Sequence, residues 1–287
     1  VDSSGNKLRG VTFLALVFAL TSRLKNKVLK TTSGAEPSTP AMVGIVLPSS
    51  IGGAIVNVAS LLAGVIPVNL NFTSSKEAIA SACRQCGITE IITSRAFLEK
   101  IDKGVLPDGI PLLYLEDFRG EVSKREILSR SLFALLAPQR FLEWKYRSKG
   151  AGRSDIASVI FSSGSTGEPK GVMLSHGNIQ SNIEALYTLF NVGKNDAVMG
   201  VLPFFHSFGF TGTLWFPLLA GLKAVYHPNP LDAQLIGELV EKEKVSVLMS
   251  TPTFLMGYLR RCTKEQFVTL KHVVVGAEKL KEKLAES

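Results

Sequence analysis

The chain has 287 residues, 46% of them apolar and 20% charged, with a formal net charge of +8. A chain of this size and apolarity, without a low-complexity tract, buries a core large enough for one big domain or two subdomains, which excludes a disordered protein. The positive balance fits nucleotide phosphates, an acidic protein or an anionic membrane surface, with a merely solvated surface as the default. The Lys and Arg residues form no single dense block and no nucleic-acid motif.

The opening "VDSSGNKLRG" lacks a starting Met and shows no cleavage pattern, and the end "EKLKEKLAES" is helical in character. Together they lead us to expect a piece of a longer chain without a signal peptide. The longest apolar run, residues 11–20, is ten residues long. At about 1.5 Å per residue that is too short for a bilayer, and the run predicts the buried face of an amphipathic first helix. Then "MVGIVLP" predicts a strand, "SSIGGAIVNVASLLAG" a helix, "VIPVNL" a strand, "SSKEAIASACRQCG" a helix and "TEIITS" a strand. This alternation is that of a parallel α/β sheet. Cys83, Cys86 and Cys262 give an odd count and no disulfide framework, as in a reducing compartment. No His lies near Cys83 in sequence, so the C-x-x-C reads as two small residues on one helix face and no metal site is expected.

Residues 121–136 predict a charged amphipathic helix. "APQRFLEWKYRSKGAGRSD" then breaks the pattern with Pro138, Gly150, Gly152 and five basic residues, placing a subdomain junction near residue 150: one subdomain over 1–150, a second over 151–287. Alternation resumes with a strand at "IASVIF", a glycine-rich loop and a helix from near Ser175. Further strands follow at "DAVMGVLP", "LKAVYH", "VSVLMS" and "HVVVGAEKL". Helices are expected at "TGTLWFPLLAG", at "LDAQLIGELVEKEK" and after Thr251-Pro252, a hydroxyl cap ahead of a proline at the first helical position.

The loop lies within "VIFSSGSTGEPKGVMLSH", residues 159–176. Its small residues Ser162, Ser163, Gly164, Ser165, Thr166 and Gly167 would let a ligand approach backbone N–H groups closely next to a helix start, which makes an anion cradle. Lys170 adds a point charge for phosphate oxygens, and the hydroxyls suit phosphate or a phosphate-bound magnesium. It is not a Walker loop: Pro169 stands five residues after Gly164, and Gly171 follows Lys170. On glycine content alone a flexible linker is as good a reading.

The same stretch resembles the phosphate-loop signature of the adenylate-forming (AMP-binding) enzymes: acyl-CoA synthetases, luciferases and peptide-synthetase adenylation domains. "LPFFHSFGF" (202–210) resembles that family's acyl-tunnel segment and "VVVGAEKL" (273–280) the strand and loop passing the adenine. "VGIVLPSSIGGAIVNVASLLAGVIPVNLNFTSS" resembles its early blocks. The resemblance implies the family's large N-terminal α/β domain, with two flavodoxin-like βα subdomains, ending before its barrel is complete and before the C-terminal domain. It implies ATP with Mg2+ as cofactors and a fatty acid made into an acyl-adenylate and then transferred to a thiol. Residues 162–167 would wrap the β- and γ-phosphates; Lys170 and His206 would be catalytic; Gly276, Ala277 and Glu278 would pass the adenine. Read without it, the aromatics Phe204, Phe205, Phe208 and Phe210 are core and Gly276 a turn.

The wording of residues 203–233 and 250–262 is most similar to the synthetase modules of acyl-carrier-protein synthetase/2-acylglycerophosphoethanolamine acyltransferase proteins. This implies acyl carrier protein as acceptor, a cytoplasmic setting and membrane-surface association at the inner membrane through a longer parent. Long-chain fatty acid–CoA ligases, with coenzyme A as partner, are the rival, and a non-catalytic acyl or carrier-protein binding module is the alternative from another class. The family's magnesium carboxylate, adenine-stacking aromatic, ribose aspartate and catalytic lysine follow the "GAEKL" block, so this chain alone is expected to be a weak or inactive ligase. His176 reads as structural. The His227…Asp232 spacing matches the acid–base pair of glycerolipid acyltransferases, but two prolines intervene, and it reads as a proline turn before a helix.

Overall fold

Apolar residues at helical spacing in the first thirty positions form α1 (Gly10–Thr31), which buries Ala15, Val17, Phe18, Leu20 and Leu24. The computed structural model of the chain describes residues 1–31, 41–101, 103–146, 152–162 and 168–280. They divide into two compact units, one of residues 8–47 and 52–177, the other of residues 1–7, 48–51 and 178–287.

In the first unit, β1 (Met42–Ile45), β2 (Ile66–Asn69), β3 (Ile91–Thr93) and β4 (Leu112–Tyr114) form a parallel sheet in the order β2-β1-β3-β4. Its strands are short, and β1, β2 and β3 are buried on both faces, which is why they read as continuous apolar runs without alternation. The crossovers are α2 (Ile51–Ala63), α3 (Lys76–Gln85) and the single turn α4 (Arg95–Leu98). On one face α1 and α2 pack Val17, Phe18, Leu24, Val56 and Ala59 onto Val43, Ile45 and Ile92. On the other, Ile79 and Cys83 of α3 pack with Val46, Val68 and Ile91. Burial pushes the Cys83 thiol up to about 11, as for an inert apolar filler.

After β4 come α5 (Leu115–Gly120), α6 (Lys124–Leu136) and α7 (Gln139–Tyr146). α6 lies against α1: Glu126 accepts from the two terminal Arg23 nitrogens at 3.0 Å and from Arg130 at 2.9 Å, and the Phe18 and Phe133 rings meet edge-on at 6.1 Å. β5 (Ile156–Ser162) and β6 (Lys170–Ser175) form a two-stranded antiparallel sheet, tied to β2 by the Ser158 hydroxyl donating to the Pro67 carbonyl at 2.8 Å. The junction expected near residue 150 therefore precedes a hairpin that belongs with the first sheet; the chain passes to the second unit after Gly177.

The second unit holds α8 (His176–Phe190) and the parallel strands β7 (Ala197–Gly200), β8 (Lys223–Tyr226), β9 (Val247–Ser250) and β10 (His272–Val275), in the order β10-β9-β7-β8. Between β7 and β8 run the helical turn α9 (Ser207–Gly209), a π-helical turn over Phe210–Trp215 and α10 (Phe216–Leu219). The Asp232 side chain caps α11 (Ala233–Glu243), and Thr251, followed by Pro252, caps α12 (Pro252–Arg261), as the spacing predicts. Gly257 sits in α12 with open space where a Cβ would go. Gly257→Ala is therefore expected to raise stability by about 0.5–1 kcal/mol, read as a higher melting temperature.

At the end of α11, the Glu243 carboxylate, itself 4% exposed, receives Lys7 at 2.6 Å and Lys223 at 2.5 Å. Burial alone would raise its pKa, yet the two lysines hold it down at about 2. A carboxylate with a depressed folded pKa stabilises fully above its unfolded value near 4.5, and the contribution is lost as pH falls towards 2. Glu243→Gln should thus cost on the order of 2–3 kcal/mol at pH 7 in calorimetry. The variant and the parent chain should converge near pH 2.

Candidate functional site

The sequence places the glycine-rich loop between a strand and a helix start; the structure corrects this. Residues 163–167 join two antiparallel strands, and the whole of β6 separates them from α8. The reason lies in the register: Ser162 pairs with Lys170, Phe161 with Gly171 and Ile160 with Val172, so the residues after the loop continue the ladder instead of capping a helix. Gly171 makes this pairing close, since a Cβ there would stand 3.0 Å from Val159 Cγ1 and 3.2 Å from the Phe161 ring.

Ser162 and Lys170 are exposed and face each other at the neck of the hairpin. Ser163, Gly164, Ser165, Thr166 and Gly167 lie outside the described residues. Lys170 makes no ion pair among the described residues, so its charge is available to an anion at the loop. A residue that sequence reasoning missed fixes the base of the loop: Gln85, at the end of α3, donates from Nε2 to the Pro169 carbonyl at 2.9 Å. Nothing in the spacing of "CRQCG" signals a contact with a residue so far along the chain.

In the second unit the other predicted residues gather at the carboxyl ends of its parallel strands, the edge where open α/β sheets bind ligands. The segment leaving β7 carries Phe204, Phe205 and His206. Phe204, Phe205 and Phe210 are buried, with Phe204 edge-on to Tyr226 at 5.6 Å and Phe210 edge-on to Trp215 at 5.9 Å, so these three are core. Phe208 is only partly buried and lies 3.2 Å from where a Gly276 Cβ would stand, so the aromatic segment and the "GAE" segment meet.

His206 is exposed, with its ring 4.6 Å from that of Phe205. Although the side chain remains accessible, the surrounding protein depletes its water and pushes its pKa below the usual value, favouring the neutral imidazole.

The turn leaving β10 is held by the Gly276 N–H donating to the Ser250 carbonyl at 3.2 Å. Ala277 adopts a left-handed φ of 67°, a conformation costing a non-glycine residue roughly 1 kcal/mol. The Glu278 carboxylate accepts from the Thr253 hydroxyl at 2.6 Å, fixing the turn to the first residues of α12.

His227 and Asp232 do come together: Nε2 and Oδ2 are 3.5 Å apart. His227 is buried, which lowers its pKa against the pull of Asp232, and Asp232 serves as the α11 cap. The segment is a turn before a helix, as read from its prolines. Among the described residues no three His, Cys, Asp or Glu side chains gather as a metal site.

The sequence profile of the family described as "AMP-binding enzyme" matches residues 27–287. The chain belongs to the AMP-binding enzyme family. It is 25% identical over 256 residues to 4-coumarate–CoA ligase-like 6 of Arabidopsis thaliana, covering 85% of this chain and 43% of that protein. It is 33% identical over 109 residues to the long-chain-fatty-acid–CoA ligase of Bacillus subtilis (strain 168), covering 37% and 19%. Its fold matches the inhibitor-bound N-terminal domain of FACL13 from Mycobacterium tuberculosis with a TM-score of 0.74 at 18% identity, over 100% of this chain and 67% of that one. It also matches ATP-bound MatB from Rhodopseudomonas palustris with a TM-score of 0.73 at 21% identity, over 99% and 52%. The chain thus spans less than half the length of the Arabidopsis relative.

Proposed function

We propose that the protein carrying this chain activates a fatty acid with ATP and passes the acyl group to the thiol of acyl carrier protein. The observation that carries the reading is the hairpin neck, where exposed Ser162 and Lys170, which makes no ion pair among the described residues, bracket a stretch of small and hydroxyl residues within the family match. A carboxylate is a poor electrophile with a poor leaving group, and ATP, with Mg2+, would supply the adenylyl group that remedies both. The carboxylate oxygen attacks the α-phosphorus, the bond to the bridging oxygen breaks, and pyrophosphate leaves; a thiol then takes the acyl carbon and AMP departs. The donor set suits a triphosphate, because an ammonium and several hydroxyls at a hairpin tip neutralise and orient phosphoryl oxygens without needing covalent chemistry. Lys170 would hold the charge of the β- and γ-phosphates. Neutral His206 would sit at the acyl carboxylate, and the Gly276–Glu278 turn along the adenine.

The wording of residues 203–233 and 250–262 supports acyl carrier protein as acceptor. A long-chain fatty acid–CoA ligase is the second reading, favoured by the identity to the Bacillus subtilis ligase. The test is fatty-acid-dependent exchange of labelled pyrophosphate into ATP by the full-length protein, followed by supply of acyl carrier protein or coenzyme A alone. Exchange with loading of the carrier protein is the expected result. Absence of exchange sinks the activation reading in favour of a binding module, and loading of coenzyme A alone replaces the carrier-protein reading.

A further inference from the structure

The helical pair α6–α7 turns a row of large apolar side chains outward. Leu128, Leu132, Leu135 and Leu136 of α6 are 56–72% exposed, and on α7 Phe141 is 42% and Trp144 76% exposed. On α6 the four leucines recur at the three- and four-residue spacing of one helix face. The opposite face is already used: Phe133 and Ala134, with Leu142 and Tyr146 of α7, pack on the core that includes Val17 and Phe18. The outward row is therefore a second apolar face, larger than solvated helices carry singly.

Basic side chains outnumber acidic ones around it. Lys124 and Arg125 stand on the exposed side of α6 and Arg140 is exposed on α7, while Lys145, also exposed, lays its ammonium over the Phe133 ring, 4.6 Å from the centroid. Glu126 is turned away into its ion pairs with Arg23 and Arg130. The exposed acid Glu143 is held by the Gln139 side chain at 2.8 Å. In sequence the pair is followed by Arg147, Lys149 and Arg153.

We propose that α6–α7 docks on an anionic lipid bilayer, lying in the plane of the interface with the leucines, Phe141 and Trp144 among the acyl chains and the lysines and arginines at the headgroup phosphates. Apolar surface with a tryptophan, flanked by cations, is the chemistry of an interfacial helix. A second copy of the chain fits worse, because a two-fold contact through this face would bring the same cations together. The inference is independent of what the hairpin loop binds.

The experiment is sedimentation of the full-length protein with vesicles of phosphatidylcholine, with and without 30% phosphatidylglycerol, both carrying brominated acyl chains that quench nearby tryptophan. The parent chain is expected to sediment with the anionic vesicles at least tenfold better than with the neutral ones, with quenching of Trp144; Trp215 is buried and stays unquenched. The double variant Leu132→Asp, Leu136→Asp changes only exposed positions and should lose the binding at an unchanged melting temperature. Trp144→Phe should keep sedimentation and lose the quenching.

No sedimentation by the parent chain overturns the proposal. So does equal binding to both vesicle types, and so does undiminished binding by the double variant. Concentration-dependent dimers of the parent that the double variant abolishes, without vesicle binding, would assign the face to a second copy instead.

Discussion

Lys170→Ala is expected to lower fatty-acid-dependent pyrophosphate exchange by the full-length protein about 10²–10³-fold, the cost of removing one group aimed at developing phosphoryl charge. Lys170 is exposed at the first position of β6 and carries no ion pair among the described residues. The melting temperature should not move. Lys170→Arg keeps the charge but spreads it over a bulkier planar fork in place of a compact ammonium, and should recover only part of the activity. Because the lysine faces Ser162 across the hairpin neck, its position is set by the ladder, and the effect should appear in kcat as well as in the KM for ATP. Exchange by Lys170→Ala at the parent rate would remove the lysine from the phosphate site.

The alternation of helices and strands was legible because the sheet strands are buried on both sides. Runs such as "IPVN" and "VLMS" have every residue buried, and no solvent face dilutes the signal. β6 was not legible for the opposite reason. Lys170 to Met173 are all exposed, so the segment shows no alternation, and its partner is set by a ladder the loop has to close first. α7 falls in a stretch that reads as a break for its Pro138, Gly150, Gly152 and five basic residues, yet a proline just ahead of a helix leaves the following residues free to start a new one.

The candidate site residues come from motif wording, which says nothing of their neighbours in space. The contact of Phe208 with Gly276 and that of Gln85 with Pro169 join segments far apart in the chain, and no local period encodes either.

The largest structural effect is expected at a glycine that the motif reading passed over. Gly209 lies in α9, and a Cβ on it would overlap the Pro203 carbonyl oxygen and stand 2.8 Å from that of Leu202. Neither carbonyl is free to withdraw. The Leu202 oxygen accepts from the Ser49 hydroxyl at 2.7 Å and the Thr213 hydroxyl at 3.3 Å, and the Pro203 oxygen accepts from the His206 N–H at 3.2 Å. Relief has to come from moving the backbone that carries Phe204, Phe205 and His206, two of which are buried in the core.

Gly209→Ala should therefore cost about 4 kcal/mol and lower the melting temperature by roughly 10 °C. Gly193→Ala, at a position with open space for a Cβ, should leave it unchanged. Thermal denaturation followed by circular dichroism of the two variants side by side decides the matter. Because the displaced segment holds His206, the fraction of Gly209→Ala that stays folded should also exchange pyrophosphate more slowly than the parent. A variant that melts with the parent would mean that the turn after β7 yields easily, and that it does not fix His206.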